Sequence, residues 1–599
     1  MRSSLVSKLR KTLLPPESGR ELFLRTLYHR INATPFFINR QIRKAASSYT
    51  LWRQAQNRVA IDPVANIDTL PFTTFLMQVE AGSEKAALMT IRSLQAQAIS
   101  RWQIVPVLKG RANWAEFSAQ FTPEDQISSA ISLEQVDSNY LNELGTGFVV
   151  FCRAGDVFSN TTLNEFASAV TTSPSVDVIY SDTEYVQDGT ADPAPFFKPA
   201  AVSPELMLSH NYLSRAFIRR GVLANLSMTL DPPSDLLSLE YDLLLQLVNK
   251  QAVHRHIPRV LVTLSHRDLD GEDSVKEVLT AHFEQHGLNG VVVNRVGEHV
   301  KVNWDFGNPT VSLIILNHNH GDWLRSLVDS IFKLTDYENF TVTIVDNLSN
   351  EPDVLAYYNE LEGDARVRVV HYDHPFNYSE AINIGVAHSS GDVVVLLNND
   401  MQVTDPRWLH ELVQWAVHPG IGVVGGKLLH RNRTIQHAGI ILGMNGFIGH
   451  LYLNAPEHYH GLAGSVDWYR NFYALTGACQ AIRRDLFNEV GGYDERFRLA
   501  FGDIDFCLRV VKAGYRNVYN PFAGLIHFEG GSRGYETPVK DIILGYEELL
   551  PWLEKEDPYF SPNLTYEPIP RCNIQEGGVD ERLANIENRK QALRSTPSS

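Results

Sequence analysis

Between residues 70 and 270, short apolar runs alternate with stretches of helical period. FTTFLMQV (72–79), WQIVPVLKG (102–110), FVVFCRAGD (148–156) and VDVIYSD (176–182) read as strands, and the stretch after Ser83 reads as a crossover helix. The alternation returns more sharply in VSLIIL (311–316), TVTIVD (341–346), VRVVHY (367–372) and VVVLLN (393–398), with helical stretches between the first and second runs and between the third and fourth. Strands that are apolar throughout are buried on both faces, so the pattern predicts an α/β chain with mostly parallel sheets. The two stretches also compare as a repeat. Asp156 ends a buried strand 49 residues after Val107, and Asp400 ends another 55 residues after Val345. A period near 250 residues marks a duplicated domain and not a solenoid.

This divides the chain into an N-terminal arm (1–60), a first α/β unit (61–270), a linker (271–308), a second α/β unit (309–535) and a C-terminal segment (536–599). The last of these opens with the helical DIILGYEELLPWLEK and continues as a polar, proline-containing tail expected to pack loosely and end disordered. The arm sets Leu5, Leu9, Leu13, Leu22, Phe23, Leu27, Phe36, Phe37 and Ile38 at helical intervals among 12 Lys and Arg, against only Glu17 and Glu21. It reads either as an amphipathic segment on an anionic bilayer, where each basic residue contributes about 1 kcal/mol, or as a helix packed on its own protein or a partner. Pro15, Pro16 and Pro35 interrupt its helical pattern.

Composition narrows the picture. With 44% apolar residues the chain can bury sizeable cores, and its formal charge of −16 argues against nucleic acid as a partner. Cys152, Cys479, Cys507 and Cys572 lack paired spacing, which predicts neither a disulfide framework nor a Cys-based metal site and fits a reducing compartment. No apolar run reaches 18 residues and the N-terminus lacks a signal-peptide pattern, so neither a membrane span nor standard secretion is expected.

Three strands of the second unit end in polar residues: Asn317, His318 and Asn319; Asp346 and Asn347; Asn398, Asn399 and Asp400. Asn398-Asn399-Asp400 alone could simply turn the chain. Their convergence at the carboxyl ends of a parallel sheet, where open α/β sheets bind ligands, favours a binding crevice in which a carboxylate shares a hard cation with substrate phosphates.

The segments SLIILNHNH with TVTIVDNLS, FNYSEAINIGVAHSSGDVVVLLNND, LTGACQAIRRDLFNEVGGYDE, FGDIDFCLRVVKAGY and HFEGGSRG follow in that order over 311–535. Together they resemble the family 2 glycosyltransferases of GT-A fold, in the branch found in bacterial O-antigen and surface-polysaccharide pathways. The resemblance implies that Asn317, Asn319, Asp346 and Asn347 line the nucleotide pocket and that Asn398, Asn399 and Asp400 form the DxD-type motif. It makes Asp400 and His527 ligands of Mn²⁺ or Mg²⁺ and Asp503 the catalytic base with Asp505 as its competitor. Arg533, in the Gly-rich GGSRG, reads by its own chemistry either as a bidentate fork on diphosphate oxygens or as a surface arginine. Asn398 stands where the family has a first Asp, and Gly502 where it has a Glu. Trp468, Tyr469 and His450 are candidates for stacking on sugar rings.

The first unit resembles the same family in VDVIYSDTEYV, PFFKPAAVSPELMLSHNYLSRAFIRR and EYDLLLQLV, and departs from it where chemistry is expected. Lys109 takes the place of an acidic nucleotide contact, Arg153 and Ala154 precede Asp156, and Thr263 replaces the histidine. Glu240 and Asp242 keep a carboxylate pair. The implied architecture is two tandem GT-A domains, the first degenerate, with a helical basic arm and a helical tail. The implied activity is inverting, metal-dependent transfer of a hexosyl or deoxyhexosyl group from a nucleotide-diphosphate sugar to a glycan or lipid-linked glycan, at the inner face of the cytoplasmic membrane. Alternatives are a bifunctional enzyme with both domains active, or a non-catalytic glycan-binding scaffold. A nucleotidyltransferase is a weaker alternative, because NHNHGDW supplies no glycine-rich phosphate loop.

Overall fold

The computed structural model describes residues 34–56, 70–119, 121–122, 125–186, 193–229, 233–265, 272–288, 291–297, 299–528, 537–574 and 581–594. In the first unit, β1 (Thr73–Glu80), β2 (Trp102–Lys109), β3 (Ile131–Ser132), β4 (Phe148–Arg153), β5 (Val157–Phe158), β6 (Val178–Val186), β7 (Pro193–Phe196), β8 (Phe217–Arg219) and β9 (His254–Leu264) form one sheet. Its order is β3-β2-β1-β4-β8-β6-β9-β5, with β7 beside β6. A hairpin of β10 (Val292–Val296) and β11 (His299–Asn303) precedes the second unit. There, β12 (Val311–Asn317), β13 (Phe340–Asp346), β14 (Val367–His371), β15 (Val393–Asn398), β16 (Met401–Val403), β17 (Ile421–Leu429), β18 (Arg470–Phe472), β19 (Cys479–Arg483) and β20 (Arg516–His527) repeat the plan. The order is β14-β13-β12-β15-β19-β17-β20-β16, with β18 beside β20.

The duplication read from the spacing is therefore a duplication of topology. Strands up to β4 and β15 pair in parallel, as their unbroken apolar runs predict. Beyond them the sheets are mixed, because β8 and β19 each enter antiparallel to the central strand. Leu313, Ile314 and Ile315 of β12 are fully buried, so both sheet faces are covered, and one apolar core runs from Leu76 of the first unit to Leu313 of the second.

The units are joined by specific contacts. Ser203 Oγ donates to Asn471 Oδ1 at 2.8 Å, Tyr469 N donates to Ser209 Oγ at 2.9 Å, and Arg516 pairs with Glu205 at 2.8 Å. The connecting segment, expected to be a plain linker, is folded. Helix Glu272–Gln285 and the β10–β11 hairpin pack down through Val302 and Trp304, whose backbone N–H groups donate to Tyr469 Oη (3.2 Å) and Gln414 Oε1 (2.9 Å).

Both end segments pack against the two units; for residues 34–56 this is one of the two readings the sequence left open. Of the basic arm, residues 34–56 are described, and α1 (Pro35–Gln56) turns Ile38, Ala45, Tyr49 and Trp52 into the protein. Tyr49 and Trp52 set their rings on Phe197 of the first unit, with centroids 6.0 and 5.0 Å apart. Full burial of side chains this large stabilises by about 3 kcal/mol each, so this apolar face is committed to packing. Arg40, Arg43 and Lys44 remain exposed.

The tail does not pack loosely. After α2 (Val539–Leu553), residues 557–574 strap both units: Asn563 Nδ2 donates to Asp182 Oδ2 at 2.7 Å, Pro558 O accepts from Ala201 N at 2.7 Å, and Cys572 N donates to Ser48 Oγ at 2.9 Å. Phe560, Leu564, Ile569 and Cys572 are buried at irregular spacing, which a reading based on period cannot detect. Helix α3 (Glu581–Arg594) then packs beside Met444–Gly446.

Candidate active site

The parallel register brings Asn317 and Asp346 side by side at the ends of β12 and β13. Tyr358 ties them together: its hydroxyl accepts from Asn317 Nδ2 at 2.9 Å and donates to Asp346 Oδ1 at 2.8 Å. Burial, with the Asp346 carboxylate beside it, raises the Tyr358 pKa and keeps the phenol protonated as that donor. Asn399 Nδ2 completes the network on Asn317 Oδ1 at 2.8 Å, while His371 Nδ1 lies 3.6 Å from Asp346 Oδ2. Asn319 and Asn347 serve the loop itself. Asn319, at φ 54°, accepts from Asn350 N and Glu351 N, and Asn347 Nδ2 donates to the carbonyls of Tyr372 and His374. Both amides thus brace the loops that follow β12 and β13.

Asp400 follows β15, and the antiparallel register of β16 with β20 delivers His527 beside it. His527 Nε2 lies 3.1 Å from Asp400 Oδ1, and Asn398 Nδ2 lies 3.5 Å from the same nitrogen. One carboxylate and one imidazole make a mixed O/N donor pair. That pair fits a divalent cation of the Mn²⁺ kind, provided substrate oxygens and water complete the shell. Among the described residues no group of three His, Cys, Asp or Glu converges, so these residues alone do not make a full cage. The adjoining His437 is buried, and burial, with the His450 and His527 rings beside it, holds its pKa well below the usual histidine value, so it adds no positive charge to the corner.

Asp503 sits in the first turn of α4 (Gly502–Lys512). Its Oδ2 accepts from Gly477 N at 2.7 Å, and Gly477 O accepts from the Tyr378 hydroxyl at 3.2 Å. That hydroxyl lies 3.4 Å from Asn398 Oδ1. Asp503 thus reaches the Asp400 corner through Gly477, Tyr378 and Asn398. Asp505 does not join it: its carboxylate is paired with Arg509 at 2.8 Å, whose other nitrogens donate to the carbonyls of Val490 and Gly492. Burial pushes the Asp505 carboxyl up even so. The Gly502 departure has a steric cause, since a Cβ there would stand 2.7 Å from Ser379 Oγ.

The first unit fills the equivalent corner with a cation of its own. Arg215 Nε donates to Asp156 Oδ2 at 2.7 Å, and Asp156 also accepts from Arg153 N and Ser265 N. Arg215 N in turn donates to Glu240 Oε1 at 2.7 Å, the position that Asp503 holds toward Gly477 N. Thr263 takes the register position of His527 and donates to Glu184 at 2.7 Å. Asp242 is buried and accepts from Thr229 N at 3.0 Å, with His282 Nδ1 3.7 Å away.

Trp468 and Tyr469 do not face a crevice. Trp468 stacks on His210 at 5.0 Å in the contact between units, and Tyr469 is fully buried. His450 lies beside the corner instead, its Nδ1 2.9 Å from His437 Nδ1. Arg533 falls outside the described residues. Tyr358, Tyr378 and Gly477 were missed as site residues. Tyr378 and Gly477 sit inside quoted motifs, whereas nothing in the local pattern marks Tyr358.

Residues 312–491 match the family described as Glycosyl transferase family 2. The chain is 31% identical over 548 residues to the O-antigen biosynthesis protein RfbC of Myxococcus xanthus, covering 87% of this chain and 42% of that protein. It is 32% identical over 459 residues to uncharacterized protein y4gI of Sinorhizobium fredii (strain NBRC 101917 / NGR234), covering 72% and 50%. The chain therefore spans about half the length of these curated relatives. Among solved structures, the mannosyltransferase PcManGT from Pyrobaculum calidifontis in complex with GDP-Man and Mn²⁺ superposes with a TM-score of 0.31 at 18% identity, over 43% of this chain and 68% of that one.

Proposed function

From a chain whose residues 312–491 belong to glycosyl transferase family 2, we infer a transferase with one working site, in the second unit, that moves a sugar from a nucleoside-diphosphate donor to a hydroxyl of a growing bacterial surface glycan. The observation that supports this reading is the route from Asp503 through Gly477, Tyr378 and Asn398 to His527 and Asp400, which suits a base and a pair of cation ligands serving one crevice.

Asp503 takes the proton of the acceptor hydroxyl as that oxygen bonds to the anomeric carbon. The bond from that carbon to the diphosphate oxygen breaks on the opposite face, which inverts the centre and releases the nucleoside diphosphate. Asp346 and Asn317, fixed by Tyr358, hold the base and ribose end of the donor. Asp400 and His527 would hold a divalent cation, whose chemistry there would be to offset charge on the leaving diphosphate.

The first unit has given up transfer in this reading, because Arg215 already neutralises Asp156 and occupies the place of a cation. A hexosyl or deoxyhexosyl donor, a lipid-linked acceptor and a position at the cytoplasmic face of the inner membrane complete the proposal. Among the described residues no helix is long and apolar enough to cross a membrane. With its apolar face packed inward, α1 would meet an anionic bilayer through Arg40, Arg43 and Lys44. Charge reversal of these three should abolish co-sedimentation with anionic liposomes, and unchanged co-sedimentation would remove the membrane part of the proposal.

The test of the reaction is nucleotide release from a panel of nucleotide sugars with and without Mn²⁺. Release with at least one donor, dependent on Mn²⁺ and on Asp503, is expected. No release, transfer or donor-dependent thermal shift across the panel would favour a binding scaffold.

A further inference from the structure

We propose, on the reading that the chain handles glycans, that the first unit binds a neutral, hydroxyl-rich oligosaccharide in the cavity between the C-terminal end of α1 and the β5–β9 corner. This cavity has a volume of about 520 Å³ and is lined by, among others, Trp52, Arg53, Asn160, Thr161, Glu184 and Arg259. Small-ligand sites commonly span roughly 300–1,000 Å³. Val157 and Thr263 also line it, and they are the register counterparts of Met401 and His527. The cavity therefore adjoins the corner where the second unit keeps its cation ligands and where Arg215 has closed the first.

The wall selects the chemistry. Glu184 is buried and held by Tyr49, Arg53 and Thr263, so it presents a fixed negative charge beside the half-exposed Arg53 guanidinium. Arg259 is likewise matched by Glu165 at 2.7 Å. A phosphate would meet carboxylates as well as guanidinium groups, whereas sugar hydroxyls both donate and accept and suit such a mixed wall. Ser159 and Thr161 add hydroxyls 3.1 Å apart, and Asn160 is exposed.

Trp52 supplies a second sign of a ligand. It is 1% exposed, and among the described residues its indole N–H has no hydrogen-bond partner. A buried donor left unmet costs about 1–3 kcal/mol, which a ligand oxygen would relieve.

The experiment is calorimetric titration of the full chain with a panel of neutral hexose and deoxyhexose di- to tetrasaccharides, and with inorganic pyrophosphate. At least one saccharide should bind, N160A/T161V should weaken it tenfold or more, and D400N should leave it unchanged. Binding by no panel member, indifference to N160A/T161V, or displacement of the saccharide by pyrophosphate would overturn the proposal. The two readings fail separately. Saccharide binding sensitive to N160A/T161V in a chain that transfers nothing would sink the transferase reading and keep the site; transfer without such binding would do the reverse.

Discussion

Arg215 donates to Asp156 at 2.7 Å with both side chains essentially removed from water, 1% and 0% exposed. In the second unit the corresponding Asp400 faces His527 at 3.1 Å. A guanidinium cannot deprotonate in a protein, so the first corner is neutralised permanently, while under the proposed function the second would exchange an imidazole contact for a cation and a diphosphate. Two copies of one topology thus carry two electrostatic solutions at one position.

The Arg215 contact makes its removal a stability lesion and not an activity lesion. R215M leaves Asp156 buried without its counter-charge, which costs about 3–5 kcal/mol. Denaturant unfolding should show that loss, with most of it recovered in D156N/R215M. Turnover per folded molecule should stay near wild type, and a large loss of turnover in folded R215M would assign the first unit a part in the chemistry.

Asp503 and Asp505 should separate in kinetics. D503N should lower kcat by about 10²–10⁴, the range of general-base contributions, with donor affinity little changed. D505N breaks the contact with Arg509 and should lower the melting temperature while kcat per folded enzyme changes less than tenfold. The opposite assignment would follow if D505N, and not D503N, abolished turnover.

Tyr358 was invisible in the sequence pattern, and its removal tests the donor pocket. Y358F deletes the hydroxyl that joins Asn317 to Asp346. Donor KM should rise by about tenfold, the worth of one buried hydrogen bond, with kcat largely kept. An unchanged KM would place the nucleotide elsewhere.

The C-terminal strap predicts a pH effect whose sign follows from burial. Asp557 accepts from Leu442 N and Tyr559 N, yet burial pushes its carboxyl up to about 6. The folded state then binds this proton more tightly than the unfolded chain. The stabilising contribution is complete below about pH 4 and is lost as pH rises through about 6. D557N should lack that loss. Between pH 4 and 7 its stability relative to wild type should improve by about 2 kcal/mol in denaturant melts, whereas a constant difference would show that Asp557 does not titrate in this window.

The sequence made the parallel half of each sheet readable because its central strands are largely apolar and buried on both faces, and VVVLLN coincides with β15 residue for residue. The ordered motifs marked Asp400, His527 and Asp503; the structure sets His527 3.1 Å from Asp400 and links Asp503 to them through Gly477, Tyr378 and Asn398, while their chemical roles belong to the proposal. The loop contacts of Asn319 and Asn347 were not readable, since a strand-end asparagine looks the same in sequence whatever it touches. Nor were Tyr358, Arg215 and the strap. Each acts through a contact between segments distant in sequence, and irregularly spaced buried residues such as Phe560 and Leu564 leave no periodic signal.

The most direct test of a single working site compares D400N with D156N in a nucleotide-release and glycan-transfer assay on the full chain, normalised to folded protein. D400N should lose at least 100-fold in every transfer the wild type performs, and D156N should retain each of them. Loss of one linkage in D156N and of a different linkage in D400N would contradict the account and make both units transferases.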